Sequence, residues 1–149
     1  MCRSLTAPFN PPASICAAKR GSTEPCDPST LPNRTDFNRV AEGRFFDGPC
    51  TAWFRLRHAL VAGETPSPYQ RVAVAADSGN GISAILDFER YTFVNADLNI
   101  NLLRRPHGEW ICLDAQTHLG PNGCGMVASR LYDVHGLVGS ASQSLAVRA

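Results

Sequence analysis

The sequence predicts an α+β domain in which a curved antiparallel sheet wraps around one central helix. One stretch, residues 67–81, carries the start, the apolar body and the stop of a helix, whereas most of the chain after it has the alternation and short turns of strands. A helix that is apolar on nearly all sides needs burial on most of its surface, so the sheet must curve around it. A small β-barrel with the helix plugging one end is the alternative architecture.

Three residues mark the start of this helix. Ser67 is a favourable N-cap, and Pro68 occupies the first helical position, where its missing N–H is not needed. Gln70 stands three residues after the cap, which completes the pattern of a capping box. We therefore expect the helix to begin at Pro68.

Asp77 is the unusual residue of the helix. It follows the apolar residues 72–76 and precedes Gly79 and Gly81, which we expect to end the helix. The helix dipole disfavours a carboxylate in the last turn, so another interaction must keep it there. Asp77 is either a turn residue that bonds the backbone of the next residues or a group used in catalysis.

The segments predicted as strands flank and follow the helix. Turn sequences at residues 105–108 and 120–123 are short enough to make their neighbouring strands antiparallel. In the second segment, Phe54 and Trp53 are expected to point to opposite faces of the sheet. The predicted strands are residues 40–46, 51–57, 82–88, 91–104, 109–119, 125–134 and 137–147.

Composition divides the chain into two parts. Residues 1–35 are rich in proline, serine and threonine without apolar periodicity, and we expect a disordered or loosely packed tail there, with an interaction motif as the alternative. Residues 36–149 are expected to form a single domain. The length of 149 residues, with 44% hydrophobic and 18% charged residues, suits one such domain.

Charge and cysteine usage exclude several classes of protein. The net charge of +1 provides no field that attracts nucleic acid. No run of about 18 apolar residues and no signal-peptide pattern occur, so we expect no membrane span and a cytoplasmic location. The six cysteines have wide, irregular spacings without a C-x-x-C pair, which favours free thiols over a metal site or a disulfide framework. Four scattered histidines and the absence of a G-x-S-x-G elbow give no sign of a histidine or serine catalyst.

Several separated stretches carry a resemblance to a known family. They are residues 60–73 (LVAGETPSPYQRVA) with 76–83 (ADSGNGIS), 93–98 (FVNADL), 108–111 (GEWI) and 139–145 (GSASQSL). In order and spacing, this set resembles the C-terminal hot-dog repeat of TesB-like acyl-CoA thioesterases. The resemblance covers residues 38–148 and implies the hot-dog fold, in which a curved antiparallel sheet surrounds a central helix.

The resemblance also implies a reaction, the hydrolysis of fatty acyl-CoA to a free acid and CoA by a carboxylate-activated water, without a metal, a cofactor or a covalent intermediate. In this family an Asp, a Thr or Ser, and a Gln position the water. Asp77 matches the Asp and Gln143 matches the Gln. The hydroxyl residue falls within residues 95–99, where this chain has no Thr or Ser, and Asp97 or Asn99 is the candidate for its role.

Further residues are assigned to substrate binding. The adjacent pair Arg104 and Arg105 suits the phosphates of CoA, although a solvated turn is the alternative. Polar residues also alternate along 95–101, which fits either a site or a strand with one wet face. The complete set of substrate-binding candidates is Asn80, Gly81, Asn95, Arg104 and Arg105.

The resemblance bears on assembly as well. TesB-like proteins carry two hot-dog repeats in one chain, whereas this chain holds one. A single repeat leaves an exposed strand edge and half of a binding tunnel, so we expect a homodimer or a tetramer built from dimers. The alternatives to an active thioesterase are a non-catalytic acyl-CoA-binding or regulatory module and a truncated remnant of the enzyme.

Overall fold

The computed structural model describes residues 38–148, with side chains from Val40 onward. The predicted tail over residues 1–35, and its boundary with the domain at residue 36, lie outside this range and stay predictions. The described strands are β1 (Asn38–Glu42), β2 (Cys50–Arg55), β3 (Thr92–Asn95), β4 (Asn99–Leu102), β5 (Trp110–Leu119), β6 (Cys124–Asp133) and β7 (Gly136–Arg148), and the described helices are α1 (Pro68–Asp77) and α2 (Gly79–Ile82).

The seven strands form one curled antiparallel sheet. Their order is β1-β2-β5-β6-β7-β3, and β4 pairs with β7 beside β3. Every pairing is antiparallel, and short turns join the consecutive strands β5, β6 and β7. The predicted α+β class, with a curved antiparallel sheet around a central helix, is confirmed.

The main core lies between the helices and one face of the sheet. Its buried side chains include Val72, Ala75, Ala76 and Ile82 from the helices and Ile111, Leu113, Val127, Leu131 and Leu145 from the strands. A second, smaller cluster contains Trp53, Trp110, Cys112 and Tyr132. The neighbours Phe54 and Trp53 belong to different clusters, as the predicted alternation along β2 requires.

Helix α1 starts as the sequence predicts. The Ser67 hydroxyl accepts from the backbone N–H of Gln70 at 3.2 Å, and the Gln70 side chain accepts from the backbone N–H of Ser67 at 2.7 Å. This capping box pairs two N–H groups that the helix itself leaves unpaired. Pro68 occupies the first turn.

The burial of α1 differs from the expectation. One face is buried, at Val72, Ala75 and Ala76, whereas Tyr69, Ala73 and Asp77, which follow one another at i, i+4 spacing, are exposed. The expected burial on most sides was therefore wrong for the described chain. The sheet covers a single face of the helix and leaves the other open.

Helix α1 ends at Asp77, just before the glycines expected to end it, whereas the strand predicted at residues 82–88 was wrong. Ser78 keeps a right-handed helical conformation, and the chain turns directly into the short helix α2. The backbone N–H and the hydroxyl of Ser83 both donate to the carbonyl of Gly79, at 3.2 and 2.9 Å. These helical contacts use the groups that a strand would offer to a neighbour.

The long strand predicted at residues 91–104 is interrupted. The N–H of Ala96 still donates to the carbonyl of Ser144 at 2.8 Å, but the N–H of Ser144 donates to the carboxylate of Asp97, also at 2.8 Å. A side chain thus replaces the backbone partner, and the edge strand breaks into β3 and β4.

The described cysteines are free thiols, as predicted. Cys50 and Cys112 are buried and Cys124 is exposed. Burial, assisted by the nearby charge of Asp114, raises the pKa of Cys50 to about 11, so this thiol stays protonated near neutral pH. The other three cysteines lie outside the described residues. Between residues 38 and 148 no helix has the length and apolarity needed to cross a membrane.

A carboxylate at the end of β6 connects two turns by hydrogen bonds. Asp133 is buried and accepts two hydrogen bonds from the guanidinium of Arg104, both at 2.6 Å. It also accepts from the backbone N–H groups of His107 and His135, each at 2.8 Å. Burial alone raises the pKa of Asp133, but the hydrogen bonds from Arg104 and from these two N–H groups outweigh it and lower the pKa below its usual value.

We predict that Asp133→Asn lowers the free energy of unfolding by about 3 kcal/mol at pH 7, because Arg104 loses its buried partner. The folded pKa of Asp133 lies below its unfolded pKa of about 3.9, so the carboxylate contributes fully above that pH and loses its contribution as the pH falls through the folded pKa. Urea unfolding of both proteins between pH 7 and pH 2 measures the difference.

The matched control is Arg105→Ala, because Arg105 is exposed and adjacent to Arg104. Its effect should stay within about 0.5 kcal/mol. A difference between the wild type and Asp133→Asn that stays constant down to pH 2 would contradict the assignment of the pH dependence to Asp133.

Candidate active site

The side chain of Gln143 joins the last strand to the junction of the two helices. Its Nε2 donates to the carbonyl of Asp77 at 3.1 Å, and its Oε1 accepts from the backbone N–H of Asn80 at 3.0 Å. Gln143 is only 2% exposed, so both bonds are shielded from water. The structure thus brings together the two residues that the sequence predicts as catalytic, Asp77 and Gln143.

Gly79 makes this close approach possible. A Cβ atom at this position would lie 2.9 Å from Oε1 of Gln143, 3.1 Å from the hydroxyl of Ser129 and 3.3 Å from Val127. Real Cβ atoms essentially never show the first distance, and the other two are tighter than nine in ten real Cβ contacts. Only glycine lets the helix junction lie directly on the amide of Gln143.

The carboxylate of Asp77 is exposed at the end of α1. The Nδ2 group of Asn95, on β3, lies 3.4 Å from both Oδ1 and the carbonyl oxygen of Asp77. Asn95 is paired with Leu145, so its side chain is on the sheet face that carries Gln143. Within one copy of the chain, Asp77, Asn95 and Gln143 therefore form one cluster with an open outer side.

Asp97 and Asn99 lie on the opposite face of the sheet. The Asp97 carboxylate accepts from the N–H and the hydroxyl of Ser144, both at 2.8 Å, and these hydrogen bonds lower its pKa. Asn99 is paired with Ser142 and accepts from the side chain of Asn101 at 2.7 Å. Because side chains alternate along β7, neither residue reaches the cluster around Asp77 in the same chain. The structure does not support the predicted role of Asp97 or Asn99 as third member of that cluster.

The contacts of Arg104 contradict its predicted role in binding the phosphates of CoA. Besides Asp133, its guanidinium donates to the carbonyl oxygens of Leu137, Gly136 and Arg105 at 3.1, 3.0 and 3.3 Å. A guanidinium has five N–H groups, and all five are thereby used within the domain. Arg104 has a structural role, whereas Arg105 is exposed.

Asn80 and Gly81 lie in α2 next to the cluster. Asn80 is 7% exposed, and its Oδ1 is buried without a hydrogen-bond partner among the described residues. The Cβ position of Gly81 has no atom within 4 Å. There is thus open space at Gly81 and one unpaired acceptor, Oδ1, at Asn80. Both lie next to the backbone N–H that hydrogen-bonds to Gln143.

A cleft opens along the other side of α1. It has a volume of about 320 Å³ and lies between the helix and the chain that leaves β2. Its lining residues are Phe54, Arg55, Leu56, Arg57, His58, Ala59, Leu60, Arg71, Val74, Ala75 and Ser78. Sequence reasoning missed this cleft, and the only available signal was the spacing of Arg71, Val74 and Ser78 along one helix face.

No group of three or more potential metal-ligating side chains occurs in the part of the chain that the structure describes.

Solved structures define the fold class. An acyl-CoA thioesterase II from Mycobacterium marinum is similar with a TM-score of 0.58 and 19% identity, over 82% of this chain and 53% of that one. A mutant of a thioesterase from Staphylococcus aureus has a TM-score of 0.56 and 9% identity, over 75% of this chain and 93% of that one. A hypothetical thioesterase from Streptococcus pneumoniae, solved with coenzyme A, has a TM-score of 0.56 and 13% identity, over 75% and 86%. The fold is that of the hot-dog thioesterases.

The family follows from the sequence comparison. The model of the acyl-CoA thioesterase C-terminal domain matches residues 11–147, and the chain belongs to this family. The match begins inside the stretch that composition predicts as a tail. The chain spans about half the length of the M. marinum enzyme. No curated protein sequence matches the chain.

We predict that Gly79→Ala destabilises the domain by about 1–3 kcal/mol, because the new methyl group forces Gln143 away from the N–H of Asn80. Gly81→Ala, two residues further along α2, is the matched control. It meets open space, so it should be neutral or stabilising by up to about 1 kcal/mol. Thermal unfolding of both variants measures the contrast, and equal effects would contradict the packing role of Gly79.

Proposed function

We propose that the domain is a thioesterase that hydrolyses fatty acyl-CoA to a free acid and CoA. The observation that carries the proposal is the end of α1, where the buried amide of Gln143 fixes the backbone around Asp77 while the carboxylate itself stays accessible. Membership in the acyl-CoA thioesterase family supports the same class of reaction. We also propose a cytoplasmic location, where the protein would encounter acyl-CoA.

Asp77 is the proposed general base. A water held by its carboxylate transfers a proton to Asp77 while the water oxygen bonds to the carbonyl carbon of the thioester. The bond between this carbon and sulfur then breaks, the proton passes to the departing thiolate, and the acid is released. The atoms and protons of this sequence balance with the carboxylate, the water and the substrate.

Gln143 and Asn95 are proposed to position this base. Gln143 holds the carbonyl of Asp77 and the N–H of Asn80, so it acts through the backbone rather than on the substrate. Asn95 approaches the Asp77 carboxylate and takes the place of the Thr or Ser that the family resemblance implies. An amide N–H orients a carboxylate without competing for its proton.

A complete site is proposed to need a second copy of the chain. Asp77 is exposed, and a carboxylate activates water more effectively where bulk solvent is excluded. The edge formed by β3 and β4 pairs only with β7 within residues 38–148, and Leu103 at its end is 73% exposed. A homodimer, or a tetramer of dimers, covers such an edge.

The second candidate function is a hot-dog module that binds acyl-CoA without turnover. An amide, that of Asn95, approaches the Asp77 carboxylate where the family resemblance implies a Thr or Ser, and this favours the alternative. A truncated remnant of the enzyme, without binding or turnover, is the third possibility.

We predict that Asp77→Asn lowers kcat for acyl-CoA hydrolysis by about 10²–10⁴-fold, because the base is lost while the side chain keeps its size. Release of CoA is measured with a thiol reagent over a series of acyl chain lengths. Asp47→Asn, at another exposed aspartate, is the control and should leave kcat unchanged. Gln143→Ala should also lower kcat, with thermal unfolding run alongside to verify folding.

Three outcomes separate the candidates. Full turnover by Asp77→Asn would refute the assignment of the base. Saturable binding of acyl-CoA by the wild type without release of CoA would support the binding module. If the wild type neither binds nor hydrolyses acyl-CoA, the result would support the truncated remnant.

We predict that the protein is a dimer or a larger assembly at micromolar concentration, as measured by gel filtration with light scattering. Leu103→Arg should shift it toward the monomer, because it adds charge beside the strand edge proposed as the interface. Val61→Arg, at an exposed position before α1, is the control. A wild-type monomer would refute the shared site.

A further inference from the structure

The cleft along α1 has an apolar floor and a basic rim. Phe54 and Leu56 line the floor from the β2 side, and Val74 lines it from the helix. Arg71 is one of three arginines that line the cleft, and none of its described lining residues is an aspartate or a glutamate. Leu60, which also lines it, is 53% exposed. Exposed apolar surface bordered by charge of one sign suits a peptide segment with apolar and acidic side chains.

The described part of the chain begins beside this cleft. Asn38, the first residue of β1, is paired with Phe54, which lines the cleft. Strand β1 runs antiparallel to β2, so its start lies at the end of β2, where residues 55–60 leave the sheet and line the cleft. The chain that precedes Asn38 is therefore joined to the domain next to the cleft.

One stretch before Asn38 has the complementary chemistry. Residues 22–33 (STEPCDPSTLPN), which we call the acidic segment, contain Glu24, Asp27 and Leu31 and no lysine, arginine or histidine. Its carboxylates complement the arginines at the rim, and Leu31 and the ring carbons of its three prolines suit an apolar floor. Because proline restricts φ, such a segment loses less conformational entropy on binding than a chain without proline does.

The acidic segment is close enough in sequence to reach the whole cleft. Leu31 and Asn38 are seven positions apart, which span up to about 25 Å when extended. Along the cleft, from Arg71 to Ser78, α1 rises by about 10 Å. The family model matches residues 11–147 and so includes the acidic segment, as expected for a part of the domain itself.

We propose that the acidic segment of the same chain occupies the cleft along α1, with its carboxylates at the arginine rim and Leu31 on the apolar floor. This contact covers apolar surface, including Leu60, that the described strands and helices leave exposed. It connects the N-terminal part of the chain to α1 without the sheet. The proposal goes beyond the thioesterase function, because the contact requires neither substrate nor turnover.

Disulfide trapping in the full chain tests this contact, because the acidic segment contains the native cysteine Cys26. A second cysteine is introduced in the cleft by Ala59→Cys or Val74→Cys. The matched control is Ala73→Cys, at the exposed neighbouring position of α1 that does not line the cleft. Air oxidation at low micromolar concentration should link Cys26 to at least one cleft position within the same chain, about tenfold faster than to the control.

Peptide mass spectrometry identifies the link, and gel electrophoresis without reductant separates a link within one chain from a link between two. All variants also carry Cys2→Ser, Cys16→Ser and Cys124→Ser. The other remaining thiols, Cys50 and Cys112, are buried. Thermal unfolding verifies that each variant folds.

Charge exchange tests the ionic part of the contact in the cleft variant that links fastest. Arg71→Asp should slow the link about two- to fivefold, because it places a carboxylate opposite the acidic segment. Adding Glu24→Arg or Asp27→Arg to Arg71→Asp should restore much of the rate, because opposite charges face each other again. Arg90→Asp, at an exposed arginine that does not line the cleft, should leave the rate unchanged.

Two results would overturn the proposal. In the first, Cys26 links to the cleft positions no faster than to the Ala73→Cys control, which would mean that the acidic segment has no preference for the cleft. In the second, the link joins two chains and gives a covalent dimer, which would assign the cleft to a second copy. A faster link within one chain, slowed by Arg71→Asp and recovered by the charge exchange, supports the acidic segment as the occupant.

Discussion

The buried amide of Gln143 is the contact on which the rest of this domain depends. A primary amide is costly to bury without partners, and here its N–H and its carbonyl oxygen each bind a backbone group at the helix junction. The bond to the Asp77 carbonyl satisfies a group that the end of a helix leaves unpaired. Gly79 provides the space for this approach. Strand β7 and the two helices are thereby joined at one point, directly behind the exposed carboxylate of Asp77.

One side of α1 is left open by the sheet. The sheet contacts the helix through Val72, Ala75 and Ala76, and the opposite side carries Ala73 and the carboxylate of Asp77. An apolar helix with small side chains on both faces can lie against a sheet on one side and against another helix or chain on the other. Within the described residues, β3 and β4 pair only with β7, so their outer edge is open. The exposed carboxylate and the open edge are the two observations on which the proposed homodimer rests.

Local patterns in the sequence predicted those parts of the fold that local physics determines. The capping box of Ser67 and Gln70 and the alternation of Trp53 and Phe54 depend on residues a few positions apart, and both appear in the structure. The strand expected at residues 82–88 is absent because residues 79–82 form a second, short helix, at whose end Ser83 donates to the carbonyl of Gly79. The broken edge strand depends on a hydrogen bond from Ser144 to Asp97, across 47 positions of the sequence, which no local pattern reports.

The candidate site shows the same contrast between residues that a short run of sequence identifies and residues whose role depends on distant contacts. Asp77 and Gln143 were found by family resemblance, because their types and order are preserved in a recognisable run. The arginines could not be assigned in that way, since the role of an arginine depends on which acceptors the fold brings to it. Arg104 meets Asp133 and three carbonyl groups and has no N–H group left for a ligand. Arg71 instead donates to the carbonyl of Gly108 and lines the cleft beside α1, so contacts with distant residues decide the role of each arginine.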